Sequence, residues 1–140
     1  MDEELSLLRA TLKRVDFFYA LNLAQLDALI GALRKSHAHR GEILIHQGDI
    51  GDRFYIIAEG GVSVQVKKTF WGRRKIAVLS SGDFFGEMAL VSDQPRNATV
   101  VAEEDTQLYE LHKKDFREIL LQNPKISQLI QEAIQRRTPA

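Results

Sequence analysis

Arg96 follows a proline and, apart from Asp93, is the only charged residue in positions 90–99. A guanidinium there offers a planar fork of donors suited to two phosphate oxygens. Ten positions earlier, Gly86 follows the aromatic pair Phe84-Phe85 and precedes a short apolar run, Met88-Ala89-Leu90-Val91. That pattern predicts one or two helical turns, whose first N–H groups lack intrahelical partners and carry positive partial charge. Gly86, with no side chain, lets an anion approach the backbone closely. Backbone N–H groups near Gly86, Met88 and Ala89 would then share the anion with Arg96. Glu87 is an acid beside this anion site. It fits if its carboxylate turns away from the phosphate and accepts from sugar hydroxyls. The chemistry implied is noncovalent capture of a sugar phosphate.

The ordered run Phe85-Gly86-Glu87-Met88-Ala89-Leu90, four spacer residues, then Pro95-Arg96-Asn97-Ala98-Thr99-Val100 resembles the phosphate-binding cassette of the cyclic nucleotide-binding domain family. That family includes regulatory subunits of cAMP-dependent kinase, catabolite activator proteins and cyclic-nucleotide-gated channels. Gly41-Glu42, Gln47-Gly48-Asp49, Gly51-Asp52 and Phe54-Tyr55-Ile56-Ile57 are similar to the first half of its β-roll. The resemblance implies that Arg96 pairs the cyclic phosphate and Glu87 takes the ribose 2′-hydroxyl. It places the residue after the arginine near phosphate and base, where threonine or serine accompanies cGMP binding and alanine cAMP selectivity. Asn97 matches neither, and cAMP is favoured with cGMP possible. It further implies that the last helix closes over the base, with Arg136 stacking on it. The function implied is that of a regulatory sensor domain, with cAMP or cGMP as ligand and no cofactor. Two alternatives are an interaction module with an empty pocket and a fragment of a transcription regulator.

The elements that must position these residues follow from periodicity. Leu5, Leu8, Leu12 and Val15 recur at helical spacing, predicting a helix over 3–14. The aromatic cluster Phe17-Phe18-Tyr19 breaks it. Asn22 with Gln25 forms a capping-box pattern ahead of Leu23, Leu26, Leu29, Ile30 and Leu33. From Ser36 the period changes to two, and strands are expected at 36–39, 42–46, 53–59, 62–68, 75–80, 96–102 and 106–111. Many short strands with regular glycine turns argue a sandwich or a barrel. Helix returns with Phe116, Ile119 and Leu120. Asn123 is then expected to cap a last helix starting at Pro124, with Ile126, Leu129, Ile130, Ala133 and Ile134 as its apolar stripe. The expected architecture is mainly β with flanking helices: an antiparallel, jelly-roll-like β-roll with N-terminal helices and a C-terminal two-helix lid. A single domain is expected over residues 1–140, divided as helices 1–35, β-roll 36–111 with cassette 82–99, and helices 112–137.

Composition narrows the function classes. The 140 residues carry 19 basic and 19 acidic side chains, so a bulk electrostatic grip of this domain on nucleic acid is not expected. No cysteine is present, which excludes a disulfide framework and thiolate chemistry and fits a cytoplasmic address, or the cytoplasmic side of a membrane protein. The acidic start Met1-Asp2-Glu3-Glu4 lacks the basic n-region of a signal peptide, and no apolar run is long enough to span a membrane. About twenty residues after the last short helix are too few for a helix-turn-helix. No nucleophile-and-base cluster or Gly-rich kinase or ATPase loop supports catalysis, so the chain is not expected to be an enzyme. His37 and His39 alternate onto one strand face ahead of Glu42, one or two residues short of the cupin metal run; solvated or capping histidines are the default. The stretch Lys67-Lys68-Thr69-Phe70-Trp71-Gly72-Arg73-Arg74-Lys75 is a basic hairpin tip holding the only tryptophan. It is expected to be solvated, with lipid headgroups or a partner protein as the sharper alternative.

Overall fold

Leu8, Leu12 and Val15 are all buried, along and just after α1 (Asp2–Lys13), as their spacing requires. The computed structural model describes residues 2–68 and 70–137, and the chain forms two units, Met1–Leu33 with Leu111–Ala140, and Arg34–Glu110. In the first unit Phe17 and Phe18 are buried in a 3-10 turn (Asp16–Phe18), ring edge to face at 4.9 Å. The capping box of α2 (Leu23–Ile30) forms in full: Gln25 N–H donates to Asn22 Oδ1 at 2.8 Å, and Asn22 N–H donates to Gln25 Oε1 at 2.9 Å. Arg9 grips Asp27 with two hydrogen bonds of 2.8 and 2.7 Å, joining α1 to α2. Phe116 of α3 (Lys113–Gln122) is buried with its ring 5.9 Å from Phe18. In α4 (Pro124–Arg137) the buried members of the stripe are Ile126, Ile130 and Ala133. One expected contact differs. The Asn123 side chain donates from Nδ2 to Ile119 O at 2.8 Å, so it secures the end of α3 instead of accepting from the first turn of α4.

The second unit contains two four-stranded sheets. One has the order β1 (Arg34–Ala38), β8 (Thr106–His112), β3 (Arg53–Glu59), β6 (Phe84–Phe85). The other runs β2 (Ile43–Ile45), β7 (Thr99–Ala102), β4 (Gly61–Lys67), β5 (Arg73–Ser80). The pairs β1–β8, β3–β6, β2–β7, β4–β7 and β4–β5 are antiparallel. Ala38, Tyr55, Ile57, Phe85 and Leu108 from the first sheet pack with Ile45, Val62, Val100 and Ala102 from the second. Burying that shared apolar face decides between sandwich and closed barrel: two antiparallel sheets with flanking helices, a β-roll. The strand expected over 96–102 begins only at Thr99, because Arg96 N–H donates to Asp49 O at 2.7 Å and Arg96 O accepts from Gly48 N–H at 2.8 Å. The loop around Gly48 thus takes the backbone bonds a longer strand would have needed. The two-residue strand β6 is too short to show a period.

Candidate functional site

The cassette hangs from β6. Tyr55 pairs with Phe85 in register and stacks on it at 4.7 Å, and Gly82 N–H donates to Ile57 O at 2.8 Å, so the chain arrives at Gly86 tied to β3. Burial, with the nearby Glu110 charge adding to it, pushes the Tyr55 hydroxyl up to about 12. Gly86 has φ +77°, the left-handed region in which a side chain is strained. It turns the chain into a single turn, Glu87–Leu90, within the one or two helical turns expected but wound as 3-10. Ala89 and Leu90 are buried and anchor the turn, whereas Met88 is 42% exposed. Ala89 N–H donates back to Gly86 O at 3.2 Å. Glu87 is half-buried, and its carboxylate makes no hydrogen bond among the described residues.

Arg96 reaches this turn from the loop that follows it. Its Nη1 donates to Gly86 O at 3.2 Å and its Nη2 to Arg53 O at 2.8 Å. The passage is open because residue 51 is glycine: a Cβ there would lie 2.1 Å from Arg96 Nε. Arg96 forms no ion pair among the described residues, and burial lowers its pKa, opposed by the charges of Tyr55, Asp52 and Glu87. The neighbouring Arg53 is the opposite case. It pairs with Asp52 at 2.9 Å and Glu110 at 3.0 Å, and its pKa is raised, first by the Asp52 hydrogen bond. Of the two guanidiniums, Arg96 is therefore the one held by neutral carbonyls and left with charge for an anion.

A cavity of about 240 Å³ is lined by Gly86, Glu87, Met88, Ala89, Arg96 and Asn97, so six of the seven expected ligand contacts share one space. Asn97 stands exposed at that cavity. The seventh, Arg136, lies on α4 in the helical unit, its guanidinium 5.5 Å from the centre of the Tyr19 ring. Sequence reasoning missed Gly51 and the Arg53 carbonyl, since a turn glycine and a backbone oxygen carry no chemical signal. His37, His39 and Asp105 come together with ligand atoms within 4.8 Å of one another, all exposed. Glu42, the acid suggested by spacing, instead accepts from His39 N–H at 3.2 Å.

A family model described as the cyclic nucleotide-binding domain matches residues 35–123. The chain belongs to this family. It is 32% identical over 138 residues to a cAMP-dependent protein kinase regulatory subunit of Blastocladiella emersonii, covering 99% of this chain and 34% of that protein. It is 35% identical over 127 residues to a cyclic nucleotide-gated potassium channel of Mesorhizobium japonicum, covering 90% of this chain and 34% of the channel. Among solved structures, the N-terminal domain of a transcriptional regulator from Streptomyces coelicolor superimposes with a TM-score of 0.80 at 30% identity, covering 91% of this chain and 89% of that one. The chain thus spans about a third of the length of those two curated relatives. A family of this kind is a ligand-binding regulatory module. Among the described residues, no helix is long and apolar enough to cross a membrane.

Proposed function

We propose that this domain is a reversible cyclic nucleotide sensor, with cAMP the favoured ligand, acting in the cytoplasm. The observation that carries the reading is Arg96: a half-buried guanidinium with no ion pair among the described residues, opening on the same cavity as Gly86 and Glu87. An anion entering there gains charge-assisted hydrogen bonds from a cation already partly desolvated, so less of the cation's own hydration has to be given up on binding. Glu87, with no side-chain hydrogen bond among the described residues, is the acceptor for the ribose 2′-hydroxyl. At about 240 Å³ the cavity is smaller than the roughly 300–1,000 Å³ typical of small-molecule pockets, which suits phosphate and sugar while the base needs a further wall.

The Glu87 assignment has a chemical test. Glu87→Gln keeps an acceptor but loses charge assistance, and a cost of about 1–2 kcal/mol in cAMP binding is expected by calorimetry. A 2′-deoxy cyclic nucleotide should bind the wild type poorly and lose little more in the variant. An identical deoxy penalty in both proteins would remove Glu87 from the sugar contact.

Ligand binding is coupled to the order of α4, whose Arg136 guanidinium lies 5.5 Å from the centre of the Tyr19 ring within the helical unit. A cation–π contact of that kind contributes about 0.5–2 kcal/mol, small enough for a ligand to tip. Amides of residues 128–136 are expected to exchange with solvent more slowly in the cAMP-saturated protein than in the empty one. Equal exchange in both states would show the helix to be fixed packing. The effector regulated by this coupling is a channel or another protein to which the domain is joined. A transcription regulator is the second reading, supported by the Streptomyces coelicolor neighbour.

A further inference from the structure

Residues 60–82 contain Lys67, Lys68, Arg73, Arg74 and Lys75 and no acid, although the whole chain is formally neutral. Lys75 is ion-paired with Glu103, so the positive charge concentrated toward the tip of the β4–β5 hairpin is that of Lys67, Lys68, Arg73 and Arg74. Its register sets Lys67 opposite Arg73, Val66 opposite Arg74 and Gln65 opposite Lys75. At its tip Lys68 N–H donates to Gly72 O at 2.7 Å and Trp71 N–H to Lys68 O at 3.2 Å. The tip displays Phe70 at 95% and Trp71 at 87% exposure, two adjacent aromatic rings almost wholly in water. Along β5 the apolar side chains of Ile76 and Val78 are also exposed, at 51% and 63%. Beside the tip runs an open groove of about 600 Å³, lined by Gln47, Lys67, Gly72, Arg73 and Thr99.

From this arrangement we propose that the hairpin docks on an anionic lipid surface, with Phe70 and Trp71 entering the headgroup layer and the surrounding cations meeting lipid phosphates. Aromatic rings flanked by lysine and arginine match the polarity profile of a bilayer interface, apolar at the tip and cationic just behind it. The groove between Lys67 and Arg73 gives one headgroup phosphate two cations at once. An acidic protein partner fits less well. Two rings on a protruding turn present far less than the roughly 800 Å² per side that a stable protein interface buries, whereas a fluid bilayer deforms around such a wedge. The docking site lies outside the cassette and does not depend on which cyclic nucleotide binds.

Trp71 is the only tryptophan, so its fluorescence reports the event without assignment. The full chain, untagged, is titrated with phosphatidylcholine vesicles carrying about one-third phosphatidylserine, and with phosphatidylcholine alone. A blue-shifted emission and co-sedimentation are expected with the anionic vesicles and not with the neutral ones. Free phosphoserine should leave the emission in place, which separates a lipid surface from a soluble phosphate. Lys68→Gln with Arg74→Gln should raise the lipid needed for half-binding by roughly thirtyfold, from the usual contribution of each cation near such a surface. Phe70→Ser should weaken sedimentation while cAMP affinity stays at the wild-type value, showing an intact domain. Emission unmoved by saturating anionic vesicles, or equal binding to neutral ones, overturns the proposal.

Discussion

Arg96→Ala is expected to weaken cAMP binding by on the order of a hundredfold or more at fixed salt, the sum of two lost charge-assisted bonds. The geometry says more than that a charge is removed. Arg96 is seated by Gly86 O and Arg53 O, and its path is open only because Gly51 has no Cβ. Gly51→Ala should therefore mimic the loss of the arginine. The backbone at Gly51 needs no positive φ, so alanine there strains nothing, but its methyl would occupy the place of Arg96 Nε. The flexible side chain must swing away, leaving the fold intact and the phosphate without its fork. Arg96→Lys keeps the charge without the planar fork and should fall between wild type and alanine. Calorimetric titration of the three variants and of the Gly51→Ala, Arg96→Ala double variant checks the argument. The double variant should bind no more weakly than Arg96→Ala alone, because both changes act through one side chain. An additive loss would mean that Gly51 serves the ligand by another route.

Gly60→Ala is expected to cost about 3 kcal/mol or more of stability, lowering the thermal midpoint by roughly 10 °C. Gly60 sits between β3 and β4 with φ +101°, and an added Cβ would lie 2.6 Å from Asp105 O and 2.8 Å from Thr106 Cα. These are backbone atoms that cannot rotate aside. The neighbouring contact is also exacting: Gly61 N–H donates to Thr106 Oγ1 at 3.2 Å, and that hydroxyl lies 2.8 Å from Glu104 O, to which it can donate. Moving the turn outward to relieve the clash would break this buried network. Gly72 provides the internal control. It has φ +86°, and a Cβ there meets nothing within 4 Å. Gly72→Ala should then cost only the conformational part, about 1 kcal/mol. Urea unfolding of both variants compares the two terms, and equal losses would show that the Gly60 contact relaxes freely.

The contrast between these glycines marks where sequence stops being informative. Gly60 and Gly72 both read as turn residues, and both have positive φ; which one a methyl would wreck depends on a strand forty-odd residues away. The same division runs through the site. Gly86, Glu87, Met88 and Ala89 form one turn, and Arg96 and Asn97 follow within about ten residues, so their order alone carried the cyclic nucleotide-binding family. The Asn22–Gln25 capping box was legible for the same reason, its two hydrogen bonds spanning three residues. The helical stripe of α4 likewise repeats at a period that local geometry dictates, whereas along β4 Ser63 is as buried as Val62 because both faces of that end of the strand are covered. What tertiary structure decided is everything that joins distant segments. Arg96 lies 43 residues from the Arg53 carbonyl it donates to, and Asp105 reaches His37 and His39 through the pairing of β1 with β8. The strand containing Thr99 begins late because the loop at Gly48 and Asp49 takes its first backbone bonds. Such contacts leave no period and no spacing, since any backbone carbonyl can accept and any glycine can stand aside. They exist because buried polar groups must find partners wherever the packing of two sheets happens to place them.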